Sequence, residues 1–122
     1  MLPFGAVAKK FSDAQRLEVW RNNPAKWAED HGLFMWSKQR EVSQSVVQYQ
    51  KTLVVTGNGA GKSRLSATLV NWWVDTHPVD DTTVVTTATN WKQVRNVLWK
   101  EIPRVRAVAG IRGKVNADAT WK

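Results

Sequence analysis

The chain of 122 residues contains no cysteine, a single tyrosine and few acidic residues. The absence of cysteine excludes disulfide bonds, thiolate zinc sites and a cysteine nucleophile. No apolar run is long enough to predict a membrane span, and residues 1–11 lack the layout of a secretory signal. We therefore expect a cytoplasmic protein that makes no contact with membranes. His31 and His77 lie beside Gly32 and Pro78, which predicts exposed loop positions and no metal binding.

The charge balance is strongly basic. Eighteen Lys and Arg residues against ten Asp and Glu residues give a net charge of +8 at pH 7. Such a balance favours a polyanionic partner such as nucleic acid. Ordinary surface charge, or one part of a larger and more balanced protein, explains it equally well. The length suits one domain, and a hydrophobic content of 43% with eight tryptophans allows a packed core.

The most informative segment joins an apolar run to a glycine-rich loop. It reads Thr-Leu-Val-Val-Thr-Gly-Asn-Gly-Ala-Gly-Lys-Ser over residues 52–63 and leads into a helix-like pattern. Glycine lets the backbone turn sharply and present its N–H groups, and the following helix adds its positive end. This order is typical of a phosphate-binding loop, although the strict motif has glycine where this chain has Thr56. The alternative is a glycine-rich turn that merely precedes Lys-Ser.

The loop chemistry predicts ATP and Mg²⁺ as cofactors. Lys62 would reach the β- and γ-phosphates as the catalytic lysine, and the hydroxyl of Ser63 would hold Mg²⁺. The predicted cofactor-binding residues in this segment are Thr56, Gly57, Asn58, Gly59, Ala60, Gly61, Lys62, Ser63 and, weakly, Arg64.

The hydrophobic pattern predicts alternating strands and helices after a helical start. In chain order we expect a loose arm over 1–11, helices over 12–20, 24–30 and 38–48, a strand over 53–55, a helix over 62–76, a strand over 82–87, a helix capped by Asn90 with Gln93 and closed by Pro103, and a possible strand over 104–110. This order predicts an α/β fold: an incomplete P-loop NTPase-type parallel sheet, a βαβ core with flanking and N-terminal helices. Residues 1–23 would form an arm and short helix, and residues 24–122 part of an ATPase domain.

Three segments together resemble a known family. They are Trp36-Ser-Lys-Gln-Arg-Glu41, the loop over 56–63, and Thr86-Thr-Ala-Thr-Asn-Trp-Lys-Gln-Val94 with the following Leu98-Trp-Lys-Glu-Ile102. The combination resembles the large subunit of tailed-bacteriophage terminases from about residue 24 to residue 110. The resemblance implies the N-terminal part of an ATPase domain in a motor that packages viral DNA. Its implied partners are double-stranded DNA, the portal protein, the terminase small subunit and further copies of the full-length protein, in the host cytoplasm.

The resemblance also implies roles for individual residues. Gln39 matches a glutamine that recognises adenine, although read alone it is an ordinary solvated helix residue. Phe34 or Trp36 could stack on the base, or Trp36 could pack in the core. Arg64 is a weak candidate for the arginine that relatives carry inside the loop, and a neighbouring subunit is the alternative source. Residues 87–89, Thr-Ala-Thr, could contact the DNA backbone or simply cap a helix.

ATP hydrolysis needs groups that the sequence does not offer. The family ends an apolar strand with Asp-Glu, which helps to hold Mg²⁺ and positions the attacking water. Asp80 and Asp81 precede their predicted strand, and Asp118 follows no apolar run. We therefore expect a truncated N-terminal fragment that binds ATP weakly and turns over little of it.

Two other classes of function stay open. The first is a different P-loop enzyme, such as a helicase-like ATPase or a small-molecule kinase. The second is a non-catalytic DNA-binding remnant, whose contacts would come from Arg104, Arg106, Arg112 and Lys114. As an alternative, those four residues are simply a solvated tail.

Overall fold

The computed structural model describes residues 4–55, 61–78, 82–87, 90, 92, 94–111 and 113. The regular elements within these residues are helical. They are α1 (Phe4–Asn22), α2 (Pro24–Asp30), α3 (Ser37–Gln48), α4 (Lys62–Thr76), a π-helical turn (Val94–Leu98) and α5 (Trp99–Ala109). None of the described helices combines the length and the apolar character needed to cross a membrane.

Helix α2 begins and ends where the sequence predicts. The side-chain oxygen of Asn23 accepts a hydrogen bond from the Lys26 backbone N–H at 3.1 Å, and Pro24 occupies the first helical position. After α2, Gly32 adopts φ +77°, and the backbone N–H of Leu33 bonds back into the helix. These caps hold α2 to seven residues.

The boundaries of the other early helices agree in part. Helix α4 spans the predicted residues, and α3 begins one residue earlier than predicted, at Ser37. Helix α1 begins at Phe4 instead of residue 12, so the predicted loose arm is wrong for residues 4–11. The stretch from Ala6 to Lys10 consists mostly of residues with good helix propensity and contains no helix breaker.

The core lies between helices. Trp27 of α2, Trp72 of α4 and the pair Ile102 and Val105 of α5 are buried almost completely. Both buried indole N–H groups have acceptors: that of Trp27 donates to an oxygen of Asp75 at 2.8 Å, and that of Trp72 to the backbone oxygen of Trp20 at 2.6 Å. These two bonds join α2 and α1 to α4.

The predicted parallel α/β sheet is wrong. No strand occurs in the part of the chain that the structure describes, and no backbone hydrogen bond there joins segment 51–55 or 82–87 to another segment. Leu53 is 89% exposed and Val55 is 86% exposed. A parallel strand must be paired at its edges and covered on both faces, and here the helices cover one another instead.

Segment 82–87 retains one feature of a strand. Its residues are alternately half-buried and exposed, and the indole N–H of Trp99 donates to the Thr86 hydroxyl at 3.0 Å. The segment therefore lies with one side against the helices. β-branched composition predicts a pleated, half-buried surface, but a sheet also needs a partner strand.

The predicted strand over residues 104–110 is a helix. Ile102 and Val105, three residues apart, are both buried, as on one face of a helix. Pro103 does not close the preceding helix but lies inside α5, which begins at Trp99 after the π-helical turn. The helix ends at Gly110, which adopts φ +71°. The predicted capping box of Asn90 involves Gln93, which lies outside the described residues.

Candidate functional site at the start of α4

Gly61 forms the N-terminal cap of α4 in a left-handed conformation. Its φ is +75°, and its backbone oxygen accepts the N–H of Leu65 at 3.0 Å, the first bond of the helix. A Cβ atom at this position would lie 3.0 Å from the side-chain nitrogen of Gln39. The positive φ favours glycine here, and a Cβ would in addition press on the end of the Gln39 side chain.

The first turn of α4 concentrates positive charge. Lys62 is exposed, Ser63 is half-buried and Arg64 is exposed, and no acidic residue occurs in this turn. The first backbone N–H groups of a helix lack partners within the helix and carry its positive dipole end. An anion near the start of α4 would therefore meet backbone donors and cationic side chains together. The predicted loop residues Thr56, Gly57, Asn58, Gly59 and Ala60 lie outside the described residues.

Gln39 lies next to Gly61, although the two are well separated in sequence. Its side-chain oxygen accepts the backbone N–H of Trp36 at 3.0 Å, and its side-chain nitrogen donates to the backbone oxygen of Gly61 at 3.4 Å. The first turn of α3 is thereby joined to the cap of α4. The structure brings together two of the predicted ATP-binding residues, one upstream of the loop and one at its end.

The two aromatic candidates for base stacking are both exposed. Phe34 is 74% exposed and Trp36 is 53% exposed, so core packing is wrong as an account of Trp36. Phe34 also lines an open pocket of about 240 Å³ together with Glu29 and Arg40. The Gln39 bond to the backbone of Trp36 keeps the start of α3 near Gly61.

Two of the four predicted DNA-binding residues, Arg104 and Arg106, lie among the described residues. Arg104 pairs with Glu101 at 3.0 Å, and Arg106 donates to the backbone oxygen of Gly113. Arg112 and Lys114 lie outside the described residues, as do Ala88 and Thr89, whereas Thr87 is exposed. The two described arginines are therefore engaged within the chain itself.

The prediction that both histidines lie in turns is confirmed, since each follows the last residue of a helix, but both are half-buried instead of exposed. His31 stacks on the ring of Trp27 with centroids 4.6 Å apart, and its Nδ1 lies 2.7 Å from the backbone oxygen of Trp27. His77 stacks on Trp73 at 3.8 Å. Among the described residues no three His, Asp or Glu side chains lie close enough together to hold a metal ion.

The aromatic cluster around His31 includes one perturbed carboxyl group. The indole N–H of Trp20 donates to Asp30 at 2.8 Å, and Lys26 pairs with Asp30 at 3.2 Å. The Trp20 bond first, and Lys26 after it, hold the pKa of Asp30 below its ordinary value, because both favour the charged form. Nothing in the spacing of these residues along the sequence indicated this cluster.

Comparisons of the chain with protein-family models, with curated proteins and with solved structures gave no significant match. The function must therefore be inferred from the residues of the chain and from their geometry.

Proposed function

We propose that the chain binds Mg·ATP at the N-terminal end of α4, as the ATP-binding part of a bacteriophage terminase large subunit. The contact between Gln39 and Gly61 carries this proposal. It joins the segment around Gln39, upstream of the glycine-rich loop, to Gly61 at the end of that loop. The resemblance assigns both segments to one ATP-binding site.

The phosphate groups of ATP match the chemistry at this helix end. The triphosphate is a polyanion, and the start of α4 offers backbone N–H donors with Lys62 and Arg64 nearby and no carboxylate in its first turn. The ammonium of Lys62 would contact the outer phosphates, and the hydroxyl of Ser63 would help to hold Mg²⁺. Binding at a helix end does not require a parallel sheet, since the donors belong to the helix itself.

The adenine base of ATP would bind near the first turn of α3. Trp36 is more than half exposed, and its backbone N–H is bonded to Gln39, which in turn contacts Gly61. An exposed indole can stack on a nucleobase. The adenine ring would then lie against Trp36 while the phosphates bind at α4.

The wider role follows from the resemblance in the three sequence segments. Double-stranded DNA would be the polymer that is moved, and the portal protein, the small subunit and further copies of the large subunit would be the partners, in the host cytoplasm. The strongly basic composition supports a polyanionic partner. These 122 residues contain no apolar run that ends in Asp-Glu, so we expect them to bind ATP without hydrolysing it.

Isothermal titration of the 122-residue chain with Mg·ATP tests the proposal. Wild-type protein should bind Mg·ATP more tightly than AMP, which lacks the outer phosphates. Lys62→Ala should weaken ATP binding by about ten- to a hundredfold, the loss expected for a charged hydrogen bond. Lys51→Ala removes another exposed lysine and is the matched control, which should bind as wild type does. Absence of ATP binding, or equal binding by Lys62→Ala, would contradict the proposal.

A further inference from the structure

Both polar ends of the Gln39 side chain have partners inside the protein. Its oxygen accepts from the Trp36 backbone, and its nitrogen donates to the Gly61 backbone. Both partners are main-chain atoms, so the two bonds depend on where the two helices begin. Gln39 therefore connects the first turn of α3 to the cap of α4.

The contact with Gly61 is steric as well as polar. A Cβ on Gly61 would lie 3.0 Å from the Gln39 nitrogen, so the amide would have to shift by a few tenths of an ångström to make room for it. Gly61 in turn holds a left-handed conformation that other residues rarely adopt. The amide and the glycine thus fix the direction in which α4 begins.

A glutamine that reads adenine uses one N–H and its oxygen together against the base edge. In Gln39 an N–H and the oxygen already have main-chain partners. The amide keeps a second N–H and a second lone pair, but the two bonds set its orientation against the main chain of Trp36 and Gly61. These bonds give the side chain a role in the geometry of the site that does not depend on any base.

We propose that Gln39 is a positioning residue that fixes Gly61 and the first turn of α4, and that its contribution to nucleotide affinity does not depend on the base. This inference rests on the proposed nucleotide site. It assigns the site a preference for the triphosphate group, with little discrimination between adenine and guanine by Gln39. It differs from the adenine-reading role that the resemblance implies.

The test compares three ligands: Mg·ATP, Mg·GTP and magnesium tripolyphosphate, which has no base. Gln39→Met removes both hydrogen bonds while keeping a side chain of similar length. We expect the affinity for all three ligands to fall by the same factor, about three- to tenfold, the loss expected for the one of these two bonds that reaches Gly61. Gln44→Met, at an exposed position on the same helix, is the matched control and should leave all three affinities unchanged.

A second control separates positioning from general stability. Val105→Ala removes buried volume in α5 and should lower the unfolding midpoint without changing the three affinities at a temperature where the protein is folded. Gly61→Ala changes the other partner of the same contact and should weaken the binding of all three ligands by a similar factor. This second variant keeps the test valid if Gln39→Met fails to fold.

The outcomes separate the inference from the proposal on which it rests. Loss of ATP affinity alone in Gln39→Met, with GTP and tripolyphosphate unchanged, would show that Gln39 reads the base and would overturn the inference. Unchanged affinity for all three ligands would overturn it as well. If wild-type protein binds none of the three ligands, the proposed nucleotide site itself fails.

Discussion

Val105 and Ala107 distinguish the observed helix from the strand that the sequence predicts over residues 104–110. In α5, Val105 is fully buried and Ala107 is exposed. In a strand, residues two apart would share a face, so the two positions would be buried or exposed together. Val105→Ala removes two buried carbons and should lower the free energy of unfolding by about 2–3 kcal/mol. Ala107→Gln, on an exposed helix face, should change it by less than about 0.5 kcal/mol.

Urea unfolding provides the measurement, followed by circular dichroism at 222 nm and by tryptophan fluorescence. Buried Trp27 and Trp72 report on the core, and circular dichroism reports on the helices. Coincident transitions with an unchanged m-value would allow the shift in midpoint to be converted to free energy.

Similar large losses for Val105→Ala and Ala107→Gln would refute the helical assignment of this segment. A polar glutamine side chain on a buried strand face would be costly because its amide would lack partners. A loss below about 0.5 kcal/mol for Val105→Ala would refute the burial on which the core depends.

Three further predictions concern stability and turnover. Asp30→Asn should reduce the sensitivity of folding stability to acid. The lowered pKa of Asp30 means that its bond with Trp20 contributes stability above about pH 4, and that this contribution is lost as the pH falls through the lowered pKa. The urea midpoints of wild type and variant should therefore differ at about pH 7 and converge at low pH. Gly61→Ala should destabilise more than Gly110→Ala, because both have positive φ but only the first places a Cβ against Gln39; equal losses of about 1 kcal/mol in urea unfolding would contradict the contact. Phosphate release from Mg·ATP should not exceed that of a buffer control, and clear turnover would show that the hydrolytic groups are present after all.

Local signals in the sequence predicted the helices that have strong caps. Asn23 and Pro24 set the start of α2, and the glycine before Lys62 set the start of α4, because capping depends on neighbours in sequence. The start of α1 was missed because residues 4–11 carry no comparable stop or start signal. Local chemistry also predicted that Pro103 closes its helix, but Pro103 lies inside α5, which continues to Ala109.

The predicted strands failed because strand formation depends on distant partners. Leu53, Val55 and segment 82–87 have β-branched or apolar composition, yet no described segment pairs with them. Helix α4 contacts α5 at Ile102, whose backbone oxygen accepts a hydrogen bond from the buried Asn71 side chain at 3.3 Å, and a contact between residues so far apart has no local signature in the sequence.

The candidate site was predictable to the extent that its motif is local. Gly61, with Lys62 and Ser63 in the first turn of α4, is the local pattern that predicts an anion site, and the structure adds that Gln39 lies against Gly61. The stacking of His31 on Trp27 could not be predicted, since each aromatic residue has an equally ordinary role in a core.

The most direct test of the nucleotide site is an NMR titration of the ¹⁵N-labelled 122-residue chain with Mg·ATP. The backbone amides of Gly61, Lys62 and Ser63 should shift with saturation, because they lie where the phosphates would bind. The amide of Gly32, a glycine of similar φ at the end of α2, should not move. Saturable shifts confined to the start of α4 are the result we predict. Absence of shifts there, or shifts centred on another part of the chain, would contradict the proposed site.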